Sequence, residues 1–432
     1  MVLRMSPFGV LVVLAYLGHA VADTIPIAGG KYAMQWVRNI SVHRPGYTQL
    51  PPEVPGKMII TSFEGTPFFA KHAVYAVDIA KEATSAPELL PGSDTIDWPN
   101  AATGIPRDVF GFEAVALGNG FLVPSHTTGG VWIMEAAATP TKLPAPVKIT
   151  KDKHDSLPDS GWFYHMTYFM DLNNDGRLDI LTSRCQYGVW PWAKKRGELL
   201  WLEQPSENAL SGEPWAEHHL ADGPDFLFCM HPNEKWLAAP EYVGERVVFY
   251  SRLPNGTLQS RVLDDHSGPG FGCSWKDLNG DGRLELLVTN HLNQNGSVFA
   301  YEFDREDFPK AGVSRHVLAT GFHAMSDAQG TASPGDAVAF HPMTSADEKP
   351  HILVSGDNSN SLFMLVPTSA SNRSWSYVKQ ELTFLGADIG RPSLTDVDKD
   401  GFTDLYVPAY DNDVIVHYKF MAAKELPSTV LV

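Results

Sequence analysis

The chain has 432 residues, of which 44% are hydrophobic and 19% charged, and its formal net charge is −17. A chain of this length and composition has the material for a large core. The acidic excess argues against a nucleic-acid partner, because phosphate contacts need basic surface.

The first stretch reads as an address rather than as structure. Arg4 precedes an apolar run from Phe8 to Leu17, and Ala20-Val21-Ala22 follows as a small-x-small cleavage site. The run is too short to cross a bilayer comfortably. Residues 1–22 are therefore expected to be a secretory signal peptide. Residues 23–432 would form one mature domain, and loss of Arg4 takes its charge from −17 to −18. No later segment reads as a membrane span, so the expected location is outside the cell or in the secretory-pathway lumen. Sequons at Asn39, Asn255, Asn295 and Asn372 fit that compartment as N-glycosylation sites. Cys185, Cys229 and Cys273 allow at most one internal bridge, so the fold must rest on its core; which two pair is open.

Next come strand signals. "MQWVRNISV" (34–42) precedes the first clear unit and is placed to close a ring by joining the last one. An apolar, β-branched run, a polar turn and a second apolar-aromatic run then recur seven times, at 58–79, 121–135, 178–204, 236–251, 284–303, 351–366 and 404–420. The mature length divided by seven is about 59 residues, room for four strands and one long connection. Such a unit buries neither face alone and must stack on its neighbours. The predicted fold class is all-β, a seven-bladed β-propeller. The Pro- and Ala-rich stretches at 82–108 and 137–160 become insertions between blades.

Three units carry an acidic loop: "DLNNDGRLD" (171–179), "DLNGDGRLE" (277–285) and "DVDKDGFTD" (396–404). Oxygen side chains at positions 1, 3, 5 and 9, Gly at 6 and a backbone carbonyl at 7 suit a hard cation with six to eight ligands. The expected Ca²⁺ ligands are Asp171, Asn173, Asp175, Arg177 (carbonyl) and Asp179; Asp277, Asn279, Asp281, Arg283 (carbonyl) and Glu285; and Asp396, Asp398, Asp400, Phe402 (carbonyl) and Asp404. The acids repel one another until an ion pins the hairpin. A metal-free Asx turn accounts for one such loop better than for three in phase with the repeats. "LGNG" (117–120) and "HPNEK" (231–235) read as versions stripped of their acids.

On these loops and the repeat, the chain resembles the FG-GAP/VCBS propellers, a family that includes the integrin α head, a fungal lectin and several lyases. The resemblance implies that the calcium hairpins join strands 1 and 2 on one face of the disc. The opposite face then collects the loops after strand 2 and the segments leading into strand 1. After strand 2 stand Glu64, His126, Arg184, Glu241, His291, Asp357 and Asp411. The lead-ins would carry Phe110, Phe112 and Glu113, Trp162, Phe163 and His165, then Phe226, Phe271, Asp336 and Arg391. Polar groups around an aromatic mouth suit a small-molecule ligand. His165, Glu113 and Arg391 are the candidate catalytic residues, the first two as acid or base.

No nucleophile elbow, His-Glu-x-x-His, phosphate loop or dinucleotide fingerprint occurs, so no nucleotide or redox cofactor is indicated. In plan the chain is similar to the secreted fungal hetero-Diels–Alderases of tropolone–sesquiterpenoid pathways. That resemblance implies loss of water from a tropolone alcohol and trapping of the quinone methide by a terpene alkene. The competing expectation is a carbohydrate lyase, dehydratase or lectin. An adhesion module is disfavoured, since no stalk or further domain is read here. Oligomeric state is open.

Overall fold

The computed structural model describes residues 24–64, 71–79, 86–121, 128–151, 161–187, 195–253, 256–303, 312–328, 330–346, 348–371 and 373–423. The signal-peptide reading at 1–22, His126, and the sequons Asn255 and Asn372 lie outside them.

The described strands form seven antiparallel sheets, each of four strands except the last. Blade 1 comprises Pro45–Gln49, Lys57–Ser62, Ala73–Asp78 and Glu88–Leu89; blade 2, Pro99–Ile105, Ala114–Asn119, Val131–Glu135 and Val147–Lys148. Blade 3 comprises Trp162–Met170, Asp179–Tyr187, Lys195–Glu203 and Ala216–Asp222; blade 4, Cys229–Met230, Trp236–Glu241, Arg246–Arg252 and Leu258–Asp264. Blade 5 comprises Gly270–Lys276, Glu285–Asn290, Gly296–Phe303 and Val313–Phe322; blade 6, Ala337–Phe340, His351–Ser355, Ser361–Pro367 and Tyr377–Phe384. Blade 7 takes Ser393–Thr395, Asp404–Ala409 and Val414–Ala422, and its outer strands are Tyr32–Ser41 and Thr24–Pro26 from the start of the chain. The expected ring closure is therefore present, with Trp36 opposite Tyr418 and Ile40 opposite Ile415.

The core is divided among the blade junctions. In strand 2 of blade 1, Met58 and Ile60 pack towards blade 7 with Tyr406 and Ile415. Ile59 between them packs towards blade 2 with Val115 and Leu117. Alternate side chains of one strand thus fill two different junctions, which is why these strands are nearly continuous apolar runs rather than alternating ones. Each of the seven junctions holds one such cluster. A separate cluster of Phe163, Cys185, Phe226 and Leu227 belongs to none of those seven. Cys229 and Cys273 form a disulfide that ties the innermost strands of blades 4 and 5, with a Cα separation of 5.9 Å, while Cys185 is free and buried.

The second unit differs from its prediction. Strand 2 of blade 2 is Ala114–Asn119, not a run beginning at Phe121. "LGNG" misled because its Gly reads as a turn. Gly118 is instead a strand residue, where a Cβ would come within 2.7 Å of the Tyr164 backbone. As a result, residues 106–113 are the connection between strands 1 and 2.

Candidate functional site

The antiparallel order puts every strand 1–2 connection on one face, and every strand 2–3 connection and strand 1 lead-in on the other. The acidic loops 171–179, 277–285 and 396–404 join strands 1 and 2 of blades 3, 5 and 7, as expected. His165, Phe226, Phe271, Asp336 and Arg391 sit on the innermost strands or their lead-ins, with the last four near the opposite face.

Innermost strands from distant blades meet near the axis. Tyr47 of blade 1 reaches past blade 2, and its hydroxyl lies 2.9 Å from Nε2 of His165 in blade 3. Arg391, leading into blade 7, places Nε 3.4 Å from Oδ2 of Asp336, which leads into blade 6. Tyr47 and Arg391 are also joined by a parallel bridge. Nε2 of His291 lies 3.6 Å from Oδ2 of Asp357, and its Nδ1 lies 2.9 Å from the Pro334 carbonyl oxygen. The Arg391, Asp336 and Asp357 side chains remain 29%, 15% and 24% exposed, although they are enclosed by several blades. They line an axial opening.

That enclosure shifts their protonation. Burial, with Arg391 adding to it, pushes the His165 imidazole down to about 3, and burial holds His291 near 4. Both rings are neutral bases at ordinary pH. Asp357 moves the other way: burial first, then the nearby Asp388 and Asp336 carboxylates, raise it well above the usual carboxylate range. Arg391 is raised by Asp336 and keeps its charge. Burial also raises the Tyr47 phenol, which stays a proton-bearing donor.

Beside the opening runs an arc of rings, each about 4 to 6 Å from the next; Trp98, Phe163, Phe226 and His291 are buried within it, and Phe63, Phe121, Tyr242, Phe271 and Tyr410 keep partial exposure. Tyr410 neighbours Phe63 (5.8 Å), which stacks on Trp98 (4.4 Å), which stacks on Phe121 (4.9 Å). Phe121 neighbours Phe163 (6.1 Å), then Phe226 (5.9 Å), Tyr242 (6.0 Å), His291 (6.2 Å) and finally Phe271, stacked on His291 at 4.3 Å. The arc passes from blade 7 through blades 1 to 5. Blade 6 and the lead-in to blade 7 fill the gap with Asp336, Asp357, Asp388 and Arg391. The mouth is aromatic on one side and acidic on the other.

Several predicted members lie elsewhere. Glu113 and Phe112 are on the strand 1–2 connection of blade 2, so they share the face of the acidic loops; Glu113 pairs with Lys57 at 3.2 Å. Trp162 and Arg184 face the junction of blades 2 and 3, because neighbouring residues of one strand point opposite ways. There the Arg184 guanidinium lies 4.6 Å from the Trp162 ring centre and bonds Glu198 at 2.6 Å and Glu217 at 3.0 Å. The rings beside His165 are those of Tyr47 and Phe226. Glu241 pairs with Arg246 at 2.5 Å and Asp411 with Arg44, and Glu64 is hydrogen-bonded to the His43 ring at 2.8 Å, a polar rim on the mouth's face. Tyr47, Phe63, Trp98, Phe121, Tyr242 and Tyr410 were not predicted. For all but Tyr47, which is central in its strand, the available signal was position: each flanks a strand on this face.

The acidic loops share one backbone form. Position 4 is left-handed in each (Asn174 φ 64°, Gly280 φ 72°, Lys399 φ 60°), as is the Gly at position 6 (Gly176 φ 84°, Gly282 φ 84°, Gly401 φ 90°). Position 1 accepts from the amide at position 6: Asp171 from Gly176 at 2.9 Å, Asp277 from Gly282 at 2.8 Å and Asp396 from Gly401 at 3.0 Å. In the third loop, oxygens of Asp396, Asp398 and Asp404 lie within 4.8 Å of one another. Oδ1 of Asp396 is buried without a partner, and Lys419 contacts Asp398 and Asp400, the latter at 2.6 Å. This donor set, all oxygen and partly unsatisfied, fits a hard cation.

Fold and mouth together define a seven-bladed propeller with an axial cleft, half aromatic and half acidic. No family model matches the chain and no curated protein matches it. Among solved structures it is similar to the PQQ-bound aldose sugar dehydrogenase of Streptomyces coelicolor, at 10% identity over 91% of this chain and 99% of that one (TM-score 0.41). It is also similar to the apo soluble aldose sugar dehydrogenase of Escherichia coli, at 9% identity over 76% and 97% (TM-score 0.43). A third is Chaetomium thermophilum Sqt1 bound to the N-terminus of ribosomal protein L10, at 12% identity over 86% and 84% (TM-score 0.47). At these values they assign neither activity nor cofactor to this chain. No helix among the described residues is long and apolar enough to cross a membrane.

Proposed function

We propose that this protein is a secreted, calcium-stabilised enzyme that acts on an apolar small molecule in the axial mouth. The observation that carries the reading is the division of that mouth, with stacked rings over blades 7 and 1 to 5 facing a sector of enclosed carboxylates and one guanidinium. Rings hold a flat, apolar substrate; the opposite sector handles one proton. Calcium in the three loops would be held by the side chains named above and would rigidify hairpins on the far face. It takes no part in the chemistry.

The reaction that suits this mouth is a dehydrating hetero-Diels–Alder addition. Asp357, held in its proton-bearing form by burial, donates to the hydroxyl of a tropolone alcohol; the C–O bond breaks and water leaves. The ring hydroxyl of the same substrate then gives its proton to the Asp357 carboxylate, which restores the acid and leaves a neutral quinone methide, while the Tyr47 hydroxyl, held by His165, positions the substrate. That diene then adds across the C=C bond of a terpene, forming one C–C and one C–O bond. No electron donor or acceptor is required, and Arg391 fixes the carboxylates by its charge.

The test is incubation with a tropolone carbinol and a macrocyclic terpene alkene, followed by chiral analysis of the adduct. Enzyme-dependent, stereoselective product that is lost in Asp357→Asn and Tyr47→Phe supports the reading. Racemic product at the uncatalysed rate refutes it. A glycan, rather than a polycycle, bound at the mouth in a soaked crystal would replace it with the carbohydrate reading.

A further inference from the structure

A second cleft lies on the opposite face, between blades 4 and 5. It has a volume of about 260 Å³, and its lining includes His231, Trp236, Phe249, Trp275 and Phe303 together with Arg283. All of these residues except Phe249, which lies in the middle of its strand, are on or next to a strand 1–2 connection or the far end of a strand, so the cleft opens on the acidic-loop side and shares no lining with the axial mouth.

Its rings form one contact cluster along the cleft, with Trp275 stacked on Phe303 at 5.8 Å and the others meeting edge-on or tilted. His231 meets Trp236 and Trp275 edge-on, at 5.0 and 4.9 Å. Phe249, buried in strand 3 of blade 4, lies 6.0 Å from Trp236, 6.3 Å from Trp275 and 6.1 Å from Phe303. Trp236 and Trp275, one from each blade, both keep partial exposure. Packed cores leave few voids of this size, and a pocket walled by aromatic side chains is the usual form of a small-molecule site.

Several polar groups of the lining are engaged within the protein. Trp275 Nε1 donates to the Cys229 carbonyl at 3.2 Å, and His231 Nδ1 accepts from the Asn233 amide at 3.1 Å. The Arg283 guanidinium is held by Asp281 at 2.6 Å and by the Phe303 carbonyl at 3.3 Å. Glu285 accepts from the Leu278 amide at 2.7 Å. A ligand rich in hydroxyls would find few groups to replace its lost water, whereas a flat ring would gain ring faces and edges on both sides.

We propose that this inter-blade cleft is a second ligand site that takes a small, uncharged, planar aromatic molecule, held by Trp236 of blade 4 and Trp275 of blade 5. It is independent of the axial mouth, and the two stand or fall separately.

The experiment is a titration of the full mature chain with 2-naphthol, followed by tryptophan fluorescence and calorimetry, with cyclohexanol, choline and N-acetylglucosamine as parallel probes. Saturable 2-naphthol binding is expected, at least about tenfold weaker in both Trp275→Leu and Trp236→Leu, since leucine keeps apolar bulk and removes the ring face. Trp275→Phe should keep most of the affinity, and Glu113→Gln, on the strand 1–2 connection of blade 2, should leave it unchanged. Thermal melts identify folded variants, and Phe303→Leu replaces either tryptophan variant that does not fold. No binding, equal binding of cyclohexanol, tighter binding of choline or the sugar, or affinity unaffected by the leucine variants would overturn the proposal.

Discussion

The buried histidine beside Tyr47 sets a measurable pH dependence of stability. In the folded chain the His165 imidazole is held near 3 against an ordinary 6.5, chiefly by burial. Below 6.5 the unfolded chain binds a proton at His165 and the folded chain does not, so stability is full above that value and drains away as pH falls towards about 3. Those 3.5 units, at ~1.4 kcal/mol each, amount to on the order of 5 kcal/mol across the window. The side chain is 2% exposed, so solvent screening subtracts little. His165→Gln removes the titrating group while keeping an acceptor for the Tyr47 hydroxyl. Denaturant midpoints of both proteins should be measured from pH 7.5 to 4. The difference between the two curves cancels the other groups that titrate there, His291 among them. Wild type should lose stability more steeply than the variant by roughly 1.4 kcal/mol per pH unit below 6. Parallel curves would mean that His165 is hydrated in solution, and the enclosed axial opening would go with it.

Three further outcomes follow from the geometry. Chelation with EGTA should lower the melting temperature, and Asp404→Ala should reduce that drop, because one of three loops can then no longer respond; a melt indifferent to both would remove calcium from the fold. Glu113→Gln should leave turnover within about twofold of wild type, because surface pairs such as its contact with Lys57 contribute little, and a large loss of turnover would contradict its placement on the far face. Gly118→Ala should destabilise the chain by about 1–3 kcal/mol and weaken activity as well, because the new methyl presses on the Tyr164–His165 backbone; calorimetry and turnover together test this.

Blade number and ring closure were legible in the chain because they depend on local periodicity. Seven apolar runs and a spare N-terminal strand leave few ways to bury both faces of every sheet. The acidic loops were legible for the same reason: each turn is closed within nine residues by a bond from the amide at position 6 to the side chain at position 1. Blade 2 was misread at the point where the purpose of a glycine is non-local. Gly118 makes room for another blade's backbone, and no sequence window around it says so. That one slip carried Glu113 and Phe112 to the wrong face.

The chain by itself determines which segments become strands, how many blades stack and where the acidic turns fall, since each follows from spacing along one short stretch. Only the folded ring decides which rings join the arc, that Trp162 and Arg184 turn away into a blade junction, and that Tyr47 meets His165 across 118 residues. Those choices depend on the direction each strand's alternate side chains face once the disc has closed, and on how much water closure leaves around a buried charge.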